Sequence, residues 1–218
     1  MLQDLTRPMA RTRASDYDEK RRIILDRSAE LFAAHGYDRA SMSRIAEACG
    51  VSKANLYHYY RDKDEILFDV LRLHLEALRA AVGAADEPGL AAEPRLRRLV
   101  GALLEAYRGA DARHKVQIND LALLPPDRQE ALRAIERDLV RLFADAITGI
   151  APQLKGTRLL TPVTMSFFGM VNWHYPWFRE TGGLTRADYA DLVTRLVVDG
   201  TARLAPAQSA RPGQRAVG

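Results

Sequence analysis

The chain of 218 residues contains one cysteine, Cys49. A single thiol excludes an intramolecular disulfide and a cysteine-built zinc site, and a reducing cytoplasm is the simplest compartment for it. No run of about 18 apolar residues occurs, so no segment reads as membrane-spanning. The N-terminus lacks the apolar stretch of about 7–15 residues that a signal peptide carries after its basic residues. A glycine-rich nucleotide loop and a nucleophile elbow are also missing. The five histidines, at positions 35, 58, 74, 114 and 174, include no pair spaced for a helical metal site. These absences weigh against an enzyme, and no cofactor or metal is expected.

Charge of one sign is not in excess either. The net charge is +4, with 12 basic and 11 acidic residues up to position 66 and 20 and 17 beyond it. Locally the balance changes. Residues 39 to 63 set Arg39, Arg44, Lys53, Arg61 and Lys63 against Glu47 and Asp62, a net +3. A basic patch is the footprint that phosphate binding needs, although most such charges only solvate a surface.

What fills the sequence is helical periodicity. A first helix is expected over Asp16 to His35, with Ile24, Leu25, Ser28, Leu31 and Phe32 on one face and Gly36 closing it. Ser41 caps a short helix stopped by Gly50, Ser52 caps a second over Lys53 to Tyr60, and Asp62 caps a long one to about Val82. Pro94 opens a helix carrying Leu96, Leu99, Leu103 and Tyr107, and a short one over 113–124 ends at Pro125-Pro126. Asp127 with Glu130 opens another. Thr161-Pro162 starts one that Gly182-Gly183 closes, and Thr185 caps the last. There are no hairpin signals and no internal repeat. The fold class is all-α, with about nine helices.

The informative stretch is residues 41–63. Two short helices flank a four-residue turn, where Gly50 supplies a positive φ without a Cβ clash and Val51 points inward. This is a helix-turn-helix, whose second helix enters the major groove N-terminus first. With Leu56 and Tyr60 inward, a helical projection turns Ala54, Asn55, His58 and Arg61 outward and puts Tyr57 and Tyr59 on the flanks. Lys53 suits guanine, Asn55 adenine and the Ala54 methyl thymine. Tyrosine hydroxyls suit phosphates. Lys63 opposes the macrodipole of the next helix, a poor place for a structural lysine but a good one beside phosphate. The candidate DNA-binding set is Ser41, Ser43, Arg44, Ser52, Lys53, Ala54, Asn55, Tyr57, His58, Tyr59 and Lys63. Each residue alone could be an ordinary exposed helix residue; the pattern jointly argues otherwise.

The run Ile45-Ala46, Gly50-Val51-Ser52-Lys53, Leu56-Tyr57-His58-Tyr59-Tyr60 and Lys63, after a helix ending Leu31-Phe32 and His35-Gly36-Tyr37, resembles the DNA-binding domain of the TetR family of regulators over residues 20 to 68. Tyr60 stands where that family usually has Phe. Arg44 stands where a capping box would place Glu, which would leave Arg44 free for DNA. The resemblance implies a homodimer, with a two-fold interface built by the last two helices, on palindromic double-stranded operator DNA. It also implies a repressor released by a small-molecule effector. The expected organisation is a disordered basic arm over 1–15 with Arg7, Arg11 and Arg13, a DNA-binding domain over 16–66, a ligand-binding and dimerisation domain over 67–204, and a disordered tail over 205–218.

Residues 167–179 are apolar nearly all round, as in a helix buried on two sides, with Pro176 kinking it. Trp173, Trp177 and Phe178 read first as core or interface packing and second as a pocket wall. The run Asn172-Trp173-His174-Tyr175 with Trp177-Phe178-Arg179 resembles TetR-family members that sense acyl-CoA thioesters. The candidate ligand-binding residues are Tyr107, Asn119, Phe167, Asn172, Trp173, His174, Trp177 and Arg179, with Arg113 and Lys115 as further cations for CoA phosphates. Asn119, His114 and Asn172 read first as core hydrogen-bonding groups. A sensor of hydrophobic drugs controlling an efflux pump, a ligand-free DNA-binding protein and a helical enzyme with an unmarked site are the competing functions.

Overall fold

In the computed structural model the described residues are 8–204, with side chains from residue 16 onward. They form nine α-helices, three single 3-10 turns and no strand. The helices are α1 (Pro8–His35), α2 (Met42–Ala48), α3 (Lys53–Tyr59), α4 (Lys63–Ala85), α5 (Ala92–Ala106), α6 (Asp111–Asp120), α7 (Pro126–Ile150), α8 (Leu160–Asn172) and α9 (Arg186–Ala202).

Two expectations are corrected. Among the described residues helix α1 spans Pro8–His35, so residues 8–15 are helical and not a disordered arm. The Ala and Arg residues of this stretch are good helix formers. Residues 1–7 and the tail 205–218 lie outside the described residues. The helix expected to run on to Gly182 stops at Asn172. Pro176 lacks an N–H, and its ring would meet the carbonyl four residues back, which is that of Asn172. The chain turns instead, with Phe178 N–H donating to the His174 carbonyl at 2.8 Å.

The backbone divides into two compact units. Among the described residues one comprises 8–76 with 109–133, the other 77–108 with 134–204. The unit holding the helix-turn-helix therefore extends beyond residue 66, taking in the first part of α4, all of α6 and the start of α7. Its core joins Ile24, Leu25 and Phe32 of α1, Ile45 of α2, Leu56 of α3, Ile66, Leu67 and Leu71 of α4 and Val116 of α6. Helix α6 packs along α1. Arg113 of α6 forms an ion pair with Asp26 of α1, and Lys115 donates to the Ala33 carbonyl at 2.7 Å.

The second unit packs α5 against α9 and α8 against α9. Its core includes Leu96, Leu99, Val100 and Leu103 of α5, Phe143 and Ile147 of α7, Phe167 and Val171 of α8, and Val193 and Val197 of α9. Thr185 caps α9 in a reciprocal box with Asp188. Arg186 is held over the Phe178 ring, donates to the Leu104 carbonyl at 3.1 Å and pairs with Glu180.

In the first unit His74 of α4 is buried at 3% exposure, its ring edge-on to that of His114 at 5.9 Å. Burial, then His114 and the Arg113 charge, holds its pKa below 6.5, at about 3. The folded state keeps His74 neutral, while the unfolded chain protonates it below about pH 6.5. Stability is therefore complete above that pH and is lost as pH falls toward 3. Urea unfolding should show a loss of about 1–2 kcal/mol from this group between pH 6.5 and 5. His74→Leu should flatten that part of the profile by about one proton.

Candidate nucleic-acid interface and effector residues

Helix α3 has seven residues, and Leu56 is its only buried side chain. The turn before it is fixed by its backbone. Gly50 takes φ +66°, its N–H donates to the Glu47 carbonyl, and Val51 N–H reaches back to the Ala46 carbonyl, both at 3.0 Å. Two serines set where the short helices start. Ser41 Oγ accepts from Arg44 N–H at 3.3 Å and Ser52 Oγ from Asn55 N–H at 3.1 Å. Beyond α3 the chain becomes extended at Tyr60, a buried side chain at 2% exposure. Leu56 and Tyr60 thus root α3 in the core.

Lys53, Ala54, Asn55, Tyr57 and His58 are exposed together on α3, with Tyr59 half-buried beside them. Lys53 Nζ lies 6.0 Å over the Tyr57 ring. Ser41, Ser43 and Arg44 are exposed at α2. Arg44 is not free, since its guanidinium donates to the Arg39 carbonyl at 3.0 Å. Lys63 is also engaged. Its ammonium sits 4.1 Å over the Tyr37 ring and donates to the carbonyls of Tyr37 and Ala40 at 3.2 and 3.4 Å. The Tyr37 hydroxyl donates to Asp64, and burial, with this contact second, raises its pKa. Lys63 thereby ties the start of α4 to the turn between α1 and α2, a structural role its position in the sequence did not suggest.

The N-terminal half of α1 supplies residues that sequence reading passed over. Arg21 pairs with Asp69 of α4 and lies 5.7 Å over the Tyr60 ring. Arg72 bonds Asp69 at 3.1 Å and Glu76 at 3.0 Å, extending the network along α4. One turn before Arg21, Tyr17 stacks on Tyr59. The spacing of Tyr17 and Arg21 marks them as one helix face, but their partners lie on other helices.

The effector candidates fall into three groups. Tyr107, Asn172 and His174 come together in the second unit. The Tyr107 hydroxyl donates to Asn172 Oδ1 at 2.8 Å and its ring stacks on His174 at 5.3 Å. His174 Nδ1 lies 2.8 Å from the Val171 carbonyl. Burial, with the Glu136 charge secondary, raises the pKa of Tyr107. Phe167 packs inside this unit on Phe143 and Phe168. Trp173 and Trp177 are surface residues, 59% and 49% exposed, because the chain leaves the helix at Asn172. Trp177 sets its edge on Tyr189 at 5.2 Å. Arg179 is exposed and bonds the carbonyls of Phe178 and Pro176 in its own loop. Asn119 does not join them: it lies in the other unit, exposed, donating to the Lys115 carbonyl at 2.9 Å. Arg113 and Lys115 are engaged with α1, through the Asp26 carboxylate and the Ala33 carbonyl. Among the described residues no group of three or more His, Cys, Asp or Glu side chains could hold a metal, and no helix is long and apolar enough to cross a membrane.

A short capped pair of helices around a glycine turn, on a chain with a separate helical unit, defines a DNA-binding transcriptional regulator of the helix-turn-helix type. Residues 24–70 match the bacterial regulatory proteins of the tetR family, and residues 89–201 match the tetracyclin repressor-like C-terminal domain. The chain belongs to the TetR family. It is similar to a TetR-family transcriptional regulator from Bordetella parapertussis, with 34% identity, a TM-score of 0.78 and coverage of 86% of this chain and 98% of that one. AibR, in its crystal structure with isovaleryl coenzyme A and operator DNA, is 28% identical, with a TM-score of 0.71 and coverage of 82% and 98%. The HTH-type transcriptional repressor Rv1474c of Mycobacterium tuberculosis is 39% identical over 61 residues, 28% of this chain and 33% of that protein. Members of this family are regulators, which decides against the enzyme reading.

Removing the Lys63 ammonium leaves two loop carbonyls and a ring face without their cation. Lys63→Ala should lower the unfolding free energy by about 1 kcal/mol in chemical denaturation. No loss of stability would mean that these contacts contribute nothing in solution.

Proposed function

We propose that the chain is a repressor that binds palindromic operator DNA as a homodimer and is released by a small-molecule effector, most simply an acyl-CoA thioester. In this reading residues 16–66 read DNA and residues 67–204 sense and dimerise, in the cytoplasm where the operator lies. Lys53, Ala54 and Asn55 face bases. Tyr57, His58 and Tyr59 face the flanks of the groove. Ser41, Ser43, Arg44 and Ser52 lie along the phosphates, and Lys63, the remaining candidate, braces the frame behind them.

The observation that carries the regulator is the exposed face of α3 on a rooted helix-turn-helix. The dimer reading is supported by the outer face of α8 and α9. Met165 of α8 and Leu192 and Leu196 of α9 are 52%, 45% and 53% exposed, and Leu196 lines a groove of about 240 Å³ with Pro162, Met170 and Leu204. So many large apolar side chains on two neighbouring helices mark an association surface. The CoA class is supported by the aromatic, partly polar Tyr107–Asn172–His174 cluster and by the likeness to AibR, which was crystallised with isovaleryl coenzyme A. A hydrophobic drug is the competing ligand.

The mechanism is linkage. Successive major grooves on one DNA face are about 34 Å apart. An effector that binds better to a dimer with its reading heads off that spacing shifts the population away from DNA, by no more than its difference in affinity.

Leu196→Glu should convert the dimer to a monomer in light scattering and remove tight operator binding. A dimer that persists would place the interface elsewhere. For the effector, a duplex selected by the chain from a randomised pool is bound, and acyl-CoAs, their free acids and lipophilic cations are added in turn. Release by acyl-CoAs alone is expected. Release by acids or cations alone would overturn the CoA class and leave the regulator standing.

A further inference from the structure

Helix α3 is short and is rooted only through Leu56 and, just past its end, Tyr60, so contacts from outside the helix-turn-helix add to what fixes its rotation. The N-terminal half of α1 touches its C-terminal end twice. Tyr17 stacks on Tyr59 with ring centroids 4.8 Å apart and planes at 27°, and presents its ring at 86° to that of His58, 6.5 Å away. One turn on, Arg21 lies over the ring of Tyr60 and pairs with Asp69. Residues four apart on α1 thus grip consecutive residues at the end of α3. Lys20 lies on the same stretch, paired with Asp16 at 2.9 Å.

The Arg21 contact is tied into buried groups, and its loss would disturb the core. The Tyr17 contact is different. Tyr17 is 40% exposed and Tyr59 half-buried, so the stack lies at the surface and contributes little to the core. Its geometry nevertheless constrains Tyr59 and His58, two of the outward residues of the reading helix. A ring stacked on another cannot swing without losing the contact.

We infer that Tyr17 is a positioning residue for DNA reading: by stacking on Tyr59 it sets the rotation of α3 and with it the aim of Lys53 and Asn55. This rests on the reading of α3 as the groove helix. The stacking ring, and not the hydroxyl, is the working part.

The test uses the full chain and two probes: a duplex selected by the wild-type chain from a randomised pool, and poly(dI-dC). Tyr17→Ala should weaken binding to the selected duplex by about three- to tenfold, the scale of one aromatic pair, and leave poly(dI-dC) binding and its salt slope within about twofold of wild type. Tyr17→Phe should restore affinity. Combined with Tyr59→Ala, Tyr17→Ala should add no further loss, because the stack is already gone. Alanine favours a helix, and circular dichroism melting is expected to change little. Should Tyr17→Ala melt early, Tyr17→Phe and the double-variant comparison with Tyr17→Leu decide in its place. Wild-type affinity in the Ala variant, a Phe variant as weak as Ala, or additive losses would each overturn the inference. A wild-type chain that selects no duplex would overturn the groove reading and this inference with it.

Discussion

A seven-residue helix cannot hold itself in water, since nucleating a helix costs more than two turns of hydrogen bonds return. Everything about the DNA-reading end of this protein follows from the need to hold α3 from outside. Leu56 and Tyr60 root it in the core, two serine caps fix where α2 and α3 begin, and Gly50 lets the turn close. Around this, cations bind elements together. Arg21 with Asp69 joins α1 to α4, and Lys63 joins α4 to the carbonyls after α1. The basic residues around the motif therefore divide into those that face outward and those that brace the frame. Net charge alone does not distinguish them.

The same bracing explains why the compact unit at the reading end is larger than the motif. Helix α6 lies between α5 and α7 in the chain but packs along α1, through an ion pair at Asp26 and a lysine at the last turn. The lysine meets a helix C-terminus, where the carbonyls lack partners and the dipole favours a cation. Arg113 and Lys115 are thus occupied with structure. The second unit joins Tyr107, Asn172 and His174 to one another and leaves Met165, Leu192 and Leu196 exposed on α8 and α9.

Much of this was legible in the residues. The caps at Ser41, Ser52 and Thr185 and the glycine turn at Gly50 act locally and follow from the chemistry of a few neighbours. Other features were harder to read. The apolar run 167–179 suggests a continuous helix, whereas Pro176 ends it at Asn172 and moves both tryptophans to the surface. Residues 8–15 look too polar to fold, yet they extend α1, since Ala and Arg sustain a helix without burial.

The sequence by itself determined the all-helical class, the reading helix and its outward residues, because periodicity, caps and turn glycines are properties of a single segment. Tertiary structure alone decided that Tyr17 meets Tyr59, that Lys63 meets Tyr37 and Ala40, and that Tyr107 meets Asn172. Such pairings depend on the angle and offset at which helices cross. Those are set by the summed packing of many side chains, so no one segment encodes them.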